Sequence, residues 1–190
     1  GDASFPVWPQ LEDSDRSLLI EAFDSRGWGI GGRYTEDFAK AFCDFQGVKY
    51  GTTCCNGTLE IEIALEDAGL EAGDEVIMPA YSFMATATAV LGLKGVPVFA
   101  DIEPGTWNLN PISVKAAISD RTRFIMPVHI GGRPANMSAL KALAEAHGLK
   151  LIEDAAQAHG AAWEGKGAGA WGGLGRSEEH TSELQSRQSI

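Results

Sequence analysis

The run Leu151-Ile152-Glu153-Asp154-Ala155-Ala156-Gln157 is a short apolar strand that ends on a carboxylate and passes at once into small residues. In a chain that alternates strands and helices, ligands bind at the carboxyl ends of the parallel strands. Asp154 is therefore a candidate partner for a cationic group. A carboxylate that faces a ring nitrogen favours the protonated nitrogen, because opposite charge stabilises the charged form. Gln157, three residues on, is spaced to hydrogen-bond a substituent on the same side. An aspartate after a strand also commonly caps the next helix, and Asp154 taken alone fits either role.

Two further segments carry chemistry of the same kind. Asn56-Gly57-Thr58 opens a helix directly after an expected strand, and the unpaired N–H groups and positive end of a helix start suit a phosphate. Gly57 lets the backbone approach closely and Thr58 adds a hydroxyl, although an ordinary capped turn reads the same way. In Pro79-Ala80-Tyr81-Ser82-Phe83 a strand ends in proline, and an aromatic precedes a helix of small residues, Ala85 to Ala89. Such a ring either joins the core or stacks on a flat cofactor, where offset stacking adds about 0.5–1.5 kcal/mol beyond burial. A phosphate cradle, a stacking aromatic and a strand-end Asp in that order on successive β/α units point together to a pyridoxal phosphate site.

Repeated β/α units must position these residues. Strands are expected near Lys49 to Thr53, Glu75 to Met78, Val96 to Ala100, Phe124 to Val128 and Leu149 to Glu153, with helices near 58–69, 84–93, 111–119 and 136–147. That alternation predicts an α/β fold, a three-layer, mostly parallel sheet with helices on both faces. Ahead of it lie a helix from residue 12 carrying Leu18, Leu19, Ala22 and Phe23, and the link Gly27 to Gly32. A second helix follows, with Phe38, Phe42 and Phe45 on an expected core face and Gly47 as its stop.

At 190 residues and 44% hydrophobic the chain can fill one sizeable domain. Its net charge of −11, with basic residues scattered singly, gives no footprint for nucleic acid. Three cysteines, two of them adjacent, form no disulfide or zinc framework, which fits a reducing cytosol. No apolar run approaches the roughly 20 residues needed to cross a bilayer, and there is no signal peptide pattern. The sequence is read as soluble and cytoplasmic, with no membrane partner.

The chain resembles the DegT/DnrJ/EryC1/StrS aminotransferases, pyridoxal phosphate enzymes of fold type I that act on keto sugars and related cyclic ketones. The resemblance covers residues 5 to 175. It rests on the segments Gly27 to Gly32, Asn56-Gly57-Thr58, Gly73 to Ile77, Pro79 to Phe83, Pro127 to Gly132 and Glu153 to Gly160. It implies pyridoxal 5'-phosphate as cofactor, with Gly57 and Thr58 at its phosphate, Phe83 on its ring, Asp154 at its N1 and Gln157 near its 3'-oxygen. It further implies an amino-acid donor, glutamate or glutamine, a keto-sugar or cyclic-ketone acceptor, and a homodimer. The opening Phe5 to Gln10 and Trp107-Asn108-Leu109-Asn110 look closest to members that act on carbocyclic ketones such as inososes.

One element of the pattern is missing. The family's Schiff-base lysine belongs shortly after the glycine-rich stretch Gly167 to Gly175, and no lysine follows Lys166, which fits the turn ahead of that stretch. No catalytic residue is therefore assigned. Residues 176–190 are polar and aperiodic and resemble a translated sequencing adapter, so residues 1–175 are read as the N-terminal part of the large domain, 176–190 as a non-native tail, and the small C-terminal domain as absent. Such a chain is expected to be inactive. The alternatives are a pyridoxamine-dependent sugar dehydratase, in which histidine replaces the lysine, and a non-catalytic binding or regulatory remnant. A dinucleotide domain is disfavoured because no Gly-x-Gly-x-x-Gly follows the first strand. His129 and His159 are read as satisfied structural residues, and Arg133 and Tyr34 are left unassigned.

Overall fold

The computed structural model describes residues 11–27, 32–172 and 174–176. Among the described residues six α-helices form: α1 (Asp13–Ser25), α2 (Arg33–Gln46), α3 (Gly57–Asp67), α4 (Ala85–Gly92), α5 (Pro111–Ala117) and α6 (Met137–His147). The strands are β1 (Glu75–Pro79), β2 (Val96–Ala100), β3 (Thr122–Ile125), β4 (Lys150–Asp154), β5 (Ala162–Trp163), β6 (Lys166–Gly167) and β7 (Leu174–Arg176). Five of them make one sheet in the order β2-β1-β3-β4-β7, every pairing parallel. Strands β5 and β6 form a hairpin whose two turn residues, Glu164 and Gly165, both have positive φ, the mirror-image turn that suits a tight hairpin.

Side-chain alternation along the strands divides the core in two. Val76, Met78, Phe124, Met126 and Ile152 pack with Ile61 and Leu65 of α3 and Ala89 and Val90 of α4. Their neighbours Ile77, Ile125 and Leu151 point the other way, onto Val114 of α5 and Leu140 and Ala144 of α6. Burying each large aliphatic side chain contributes about 1.5–3 kcal/mol. The sheet is thus covered on both faces, as the alternation of elements implied.

This register decides where the two carboxylates of β4 go. Asp154 shares a face with Ile152, on the side of α3 and α4, whereas Glu153 shares a face with Leu151, on the side of α5 and α6.

Two expectations fail. Residues 49–53 form no strand, because no strand among the described residues runs beside them to make a ladder. Helix α2 forms and stops at Gly47 in the left-handed conformation, but its aromatic face is not core: Phe45 is 63% exposed, and Phe38, Phe42 and Phe45 pack along the helix on one another. Arg176, counted with the tail, is the last residue of β7 and pairs with Asp154. The expected link at Trp28 to Gly31, the opening Phe5 to Gln10 and the tail beyond Arg176 lie outside the described residues. Among the described residues no helix is long and apolar enough to cross a membrane.

Candidate functional site

The site is built on the carboxyl end of β4. Asp154, only 4% exposed, is held by the segment that follows β3, its N–H donating to the Pro127 carbonyl and its carbonyl accepting from the His129 N–H. Its side chain is held from two directions. The Thr86 hydroxyl donates to Oδ2 at 2.9 Å, and the Ala156 N–H donates to Oδ1 at 3.3 Å. Thr86 in turn lies 2.7 Å from the Ser82 hydroxyl, so the first turn of α4 is tied to the end of β4.

Phe83 lies in that same segment and is 49% exposed, so about half of it is open to solvent. The expected alternative, a ring in the core, is not what forms. Tyr81, two residues earlier, stands edge-on to Trp107 with 5.2 Å between ring centroids.

Helix α3 brings the third component. It leads into β1 through a short turn, so its start lies toward the carboxyl edge of the parallel sheet, and it packs against α4, β4 and β7. Asn56 caps it, accepting the Leu59 N–H at 2.9 Å. Gly57 and Thr58 are its first two residues, where helical N–H groups point out of the helix start. Gly57 is buried. Ahead of the cap, burial pushes the Cys54 thiol up to about 11, so it stays protonated at neutral pH.

Gln157 lies on the exit from β4. Its Oε1 accepts the Gly131 N–H at 2.8 Å. A backbone N–H can only donate, so the oxygen must face Gly131 and the amide NH2 must face the other way. The turn Gly131-Gly132 approaches closely because both residues have positive φ, and a Cβ on Gly132 would sit 3.0 Å from the Gln157 carbonyl oxygen.

Glu153, next to Asp154, has a different task that its place in the motif did not reveal. It is fully buried, and its carboxylate accepts the N–H groups of Gly169, Trp171 and Gly172. His129 completes the set at 3.0 Å. Because His129 Nδ1 accepts the Ala135 N–H, its proton sits on Nε2 and is donated to Glu153. This satisfies the reading of His129 as structural. His159 makes an edge contact with Phe42, 5.9 Å between centroids.

Lys166 lies away from Asp154. It is in β6, and its ammonium sits 5.4 Å from the centre of the Trp171 ring, which packs on the α5/α6 side of the sheet. Arg133 is engaged with the Gly105 carbonyl. Tyr34, with Glu21, Asp24, Ser25, Gly27 and Arg33, lines a shallow cavity of about 500 Å³ that shares no residue with the β4 site.

The arrangement defines a doubly wound α/β protein with a polar candidate site at the carboxyl edge of its sheet, formed by α3, α4 and β4. The DegT/DnrJ/EryC1/StrS aminotransferase family profile matches residues 10–176, and the chain belongs to that family. It is 42% identical over 189 residues to L-glutamine:2-deoxy-scyllo-inosose aminotransferase of Streptomyces lividus, covering 96% of this chain and 45% of that protein. An aminotransferase from Psychrobacter cryohalolentis superposes with a TM-score of 0.87 at 34% identity, over 92% of this chain and 44% of the other. NtdA from Bacillus subtilis, solved with bound cofactor PMP, superposes with a TM-score of 0.78 at 36% identity, over 89% and 40%. The chain thus spans less than half the length of these relatives.

Proposed function

We propose that the chain is the cofactor-holding part of a pyridoxal phosphate-dependent aminotransferase that moves an amino group from glutamate or glutamine to a keto sugar or cyclic ketone. The observation that carries this reading is the buried Asp154 at the carboxyl end of β4, its carboxylate bonded to Ala156 and to Thr86 of α4, with the half-exposed Phe83 three residues before Thr86. The donor set fits the cofactor. In this reading the start of α3, with Gly57 and Thr58, takes the phosphate, and Phe83 covers one face of the ring. Asp154 meets the ring nitrogen, and the outward amide NH2 of Gln157 donates to the ring oxygen. The relatives named for inososes support a carbocyclic ketone and glutamine as the reacting pair.

When bound, the cofactor supplies an electron sink and a temporary carrier for the amino group. The residues of this chain orient it and hold charge. Asp154 keeps a proton on the ring nitrogen by its fixed negative charge. Phe83 fixes the plane of the ring, and the capped helix start anchors the phosphate through its N–H groups. No residue of this chain is assigned to carry the proton between donor and acceptor, since Lys166 is held on the opposite side of the sheet and no lysine follows it. We further read the active form as a homodimer in the cytoplasm, with the three free thiols in keeping with a reducing compartment.

The test is binding of pyridoxamine 5'-phosphate, which needs no lysine, to the 190-residue chain. Saturable binding that is weakened about ten-fold or more by Asp154→Asn is expected. Absence of saturable binding to the unaltered chain refutes the reading. Borohydride treatment with pyridoxal phosphate should label no single lysine selectively, and selective labelling would overturn the view that the chain lacks the reacting amine.

A further inference from the structure

Ser82 and Thr86 stand one helical turn apart where α4 begins, and the protons of their hydroxyls can be placed from hydrogen-bond chemistry alone. An ionised carboxylate only accepts, so the single proton of Thr86 is committed to Asp154 Oδ2 at 2.9 Å. The Thr86 oxygen must then act as acceptor toward Ser82 at 2.7 Å, and Ser82 is the donor. The three groups make a one-way chain, from Ser82 to Thr86 to Asp154.

This chain fixes more than a contact. Oδ1 is tied to the Ala156 N–H after β4, and Oδ2 is tied to α4. With its two oxygens bound to different elements, the carboxylate cannot rotate about its Cβ–Cγ bond. Phe83 lies between Ser82 and Thr86 in sequence, so the turn that locks the carboxylate also carries the exposed ring. The relative position of the ring and the carboxylate is therefore set by one pair of hydroxyls. Thr86 is 1% exposed, which keeps water from competing for the bond.

We propose that Thr86, backed by Ser82, is a positioning residue that holds the Asp154 carboxylate in line with the ring nitrogen of the bound cofactor and in fixed relation to Phe83. The inference rests on the functional reading given above. A carboxylate freed of this lock swings off the ring nitrogen and stabilises its charge less.

The experiment titrates pyridoxamine 5'-phosphate into the full chain and into Thr86→Val, Thr86→Ser and Ser82→Ala, and records the absorption of the bound compound against pH. Valine keeps the shape of threonine and removes the hydroxyl. Thr86→Val is expected to weaken binding roughly ten-fold and to lower the pH at which the bound ring nitrogen loses its proton. Ser82→Ala should weaken binding by a smaller factor, and Thr86→Ser should restore wild-type values. A purely structural role would lower the unfolding midpoint without moving that titration. If the unaltered chain binds while Thr86→Val binds equally well with an unchanged or raised titration midpoint, the inference is wrong and the functional reading stands. If the unaltered chain does not bind, both fall. Should Thr86→Val fail to fold, Ser82→Ala decides, and wild-type affinity and titration in that variant refute the chain of donors.

Discussion

Replacing Glu153 with glutamine should remove much of the stability of the region after β4 while leaving its shape almost unaltered. Oε1 of Glu153 accepts from Trp171 and Gly172, and Oε2 accepts from Gly169 and His129. Glutamine offers one oxygen and one NH2 group. Whichever way the amide turns, one pair of donors keeps its acceptor and the other pair faces a donor. Hydrogen bonds to a charged group contribute about 1.5–3 kcal/mol each, so losing two gives about 3–4 kcal/mol, less than the plain sum because bonds on one group are not additive. Against a typical stability of about 5–15 kcal/mol, the chain should still fold. Urea unfolding followed by tryptophan fluorescence should show the midpoint falling by about 1–4 M, given slopes of about 1–3 kcal/mol/M. Amide exchange should speed up first at Gly169, Trp171 and Gly172. A loss below about 1 kcal/mol, with those amides still protected, would refute the claim that Glu153 holds this segment in place.

Other perturbations test separate parts of the structure. Glu75 at the start of β1 is held below the usual carboxylate range, chiefly by the Ser119 hydroxyl and then by the Arg121 guanidinium. A depressed value means its contribution is present above the unfolded-state value and lost as pH falls through the folded one. Glu75→Gln should therefore be destabilised relative to the parent at pH 7, and the gap should close toward pH 3. A gap that widens in acid would contradict the assignment. Asn56→Ala removes the cap of α3 and should cost about 1 kcal/mol in urea unfolding, while Asn56→Asp should be near neutral. Gly132→Ala forces a side chain into the left-handed region and against the Gln157 carbonyl, with an expected cost of about 1–2 kcal/mol and weaker pyridoxamine phosphate binding.

The strand-end position of Asp154 was legible because a short apolar run that stops at a carboxylate marks the end of a buried strand, and the start of α3 was legible in Asn56-Gly57-Thr58, where Asn56 caps in the ordinary way. The lock on Asp154 was not, since Thr86 is 68 residues away and nothing in a row of alanines and threonines says which hydroxyl turns inward. The role of Glu153 was hidden for a related reason. Three of its partners are backbone N–H groups in a glycine-rich stretch, and backbone donors leave no side-chain signature. The short strand β7 escaped notice because three residues are too few to show a period. The expected strand at 49–53 and the expected core face of α2 fail in the same manner: each had the right local pattern, and each depends on a partner that pattern cannot supply.

The neighbouring carboxylates of β4 also give the strand a way of checking its own alignment. Shifted by a single residue, β4 would turn Glu153 to the α3/α4 side and Asp154 to the α5/α6 side. Each carboxylate would leave the donors that now hold it, and two charges would be buried in the wrong company. Strands of plain valine and isoleucine carry no such vernier, so slipped pairings cost them little. Here a misaligned sheet is penalised at the one strand on which the site depends, and chains that do fold share a single setting of that site.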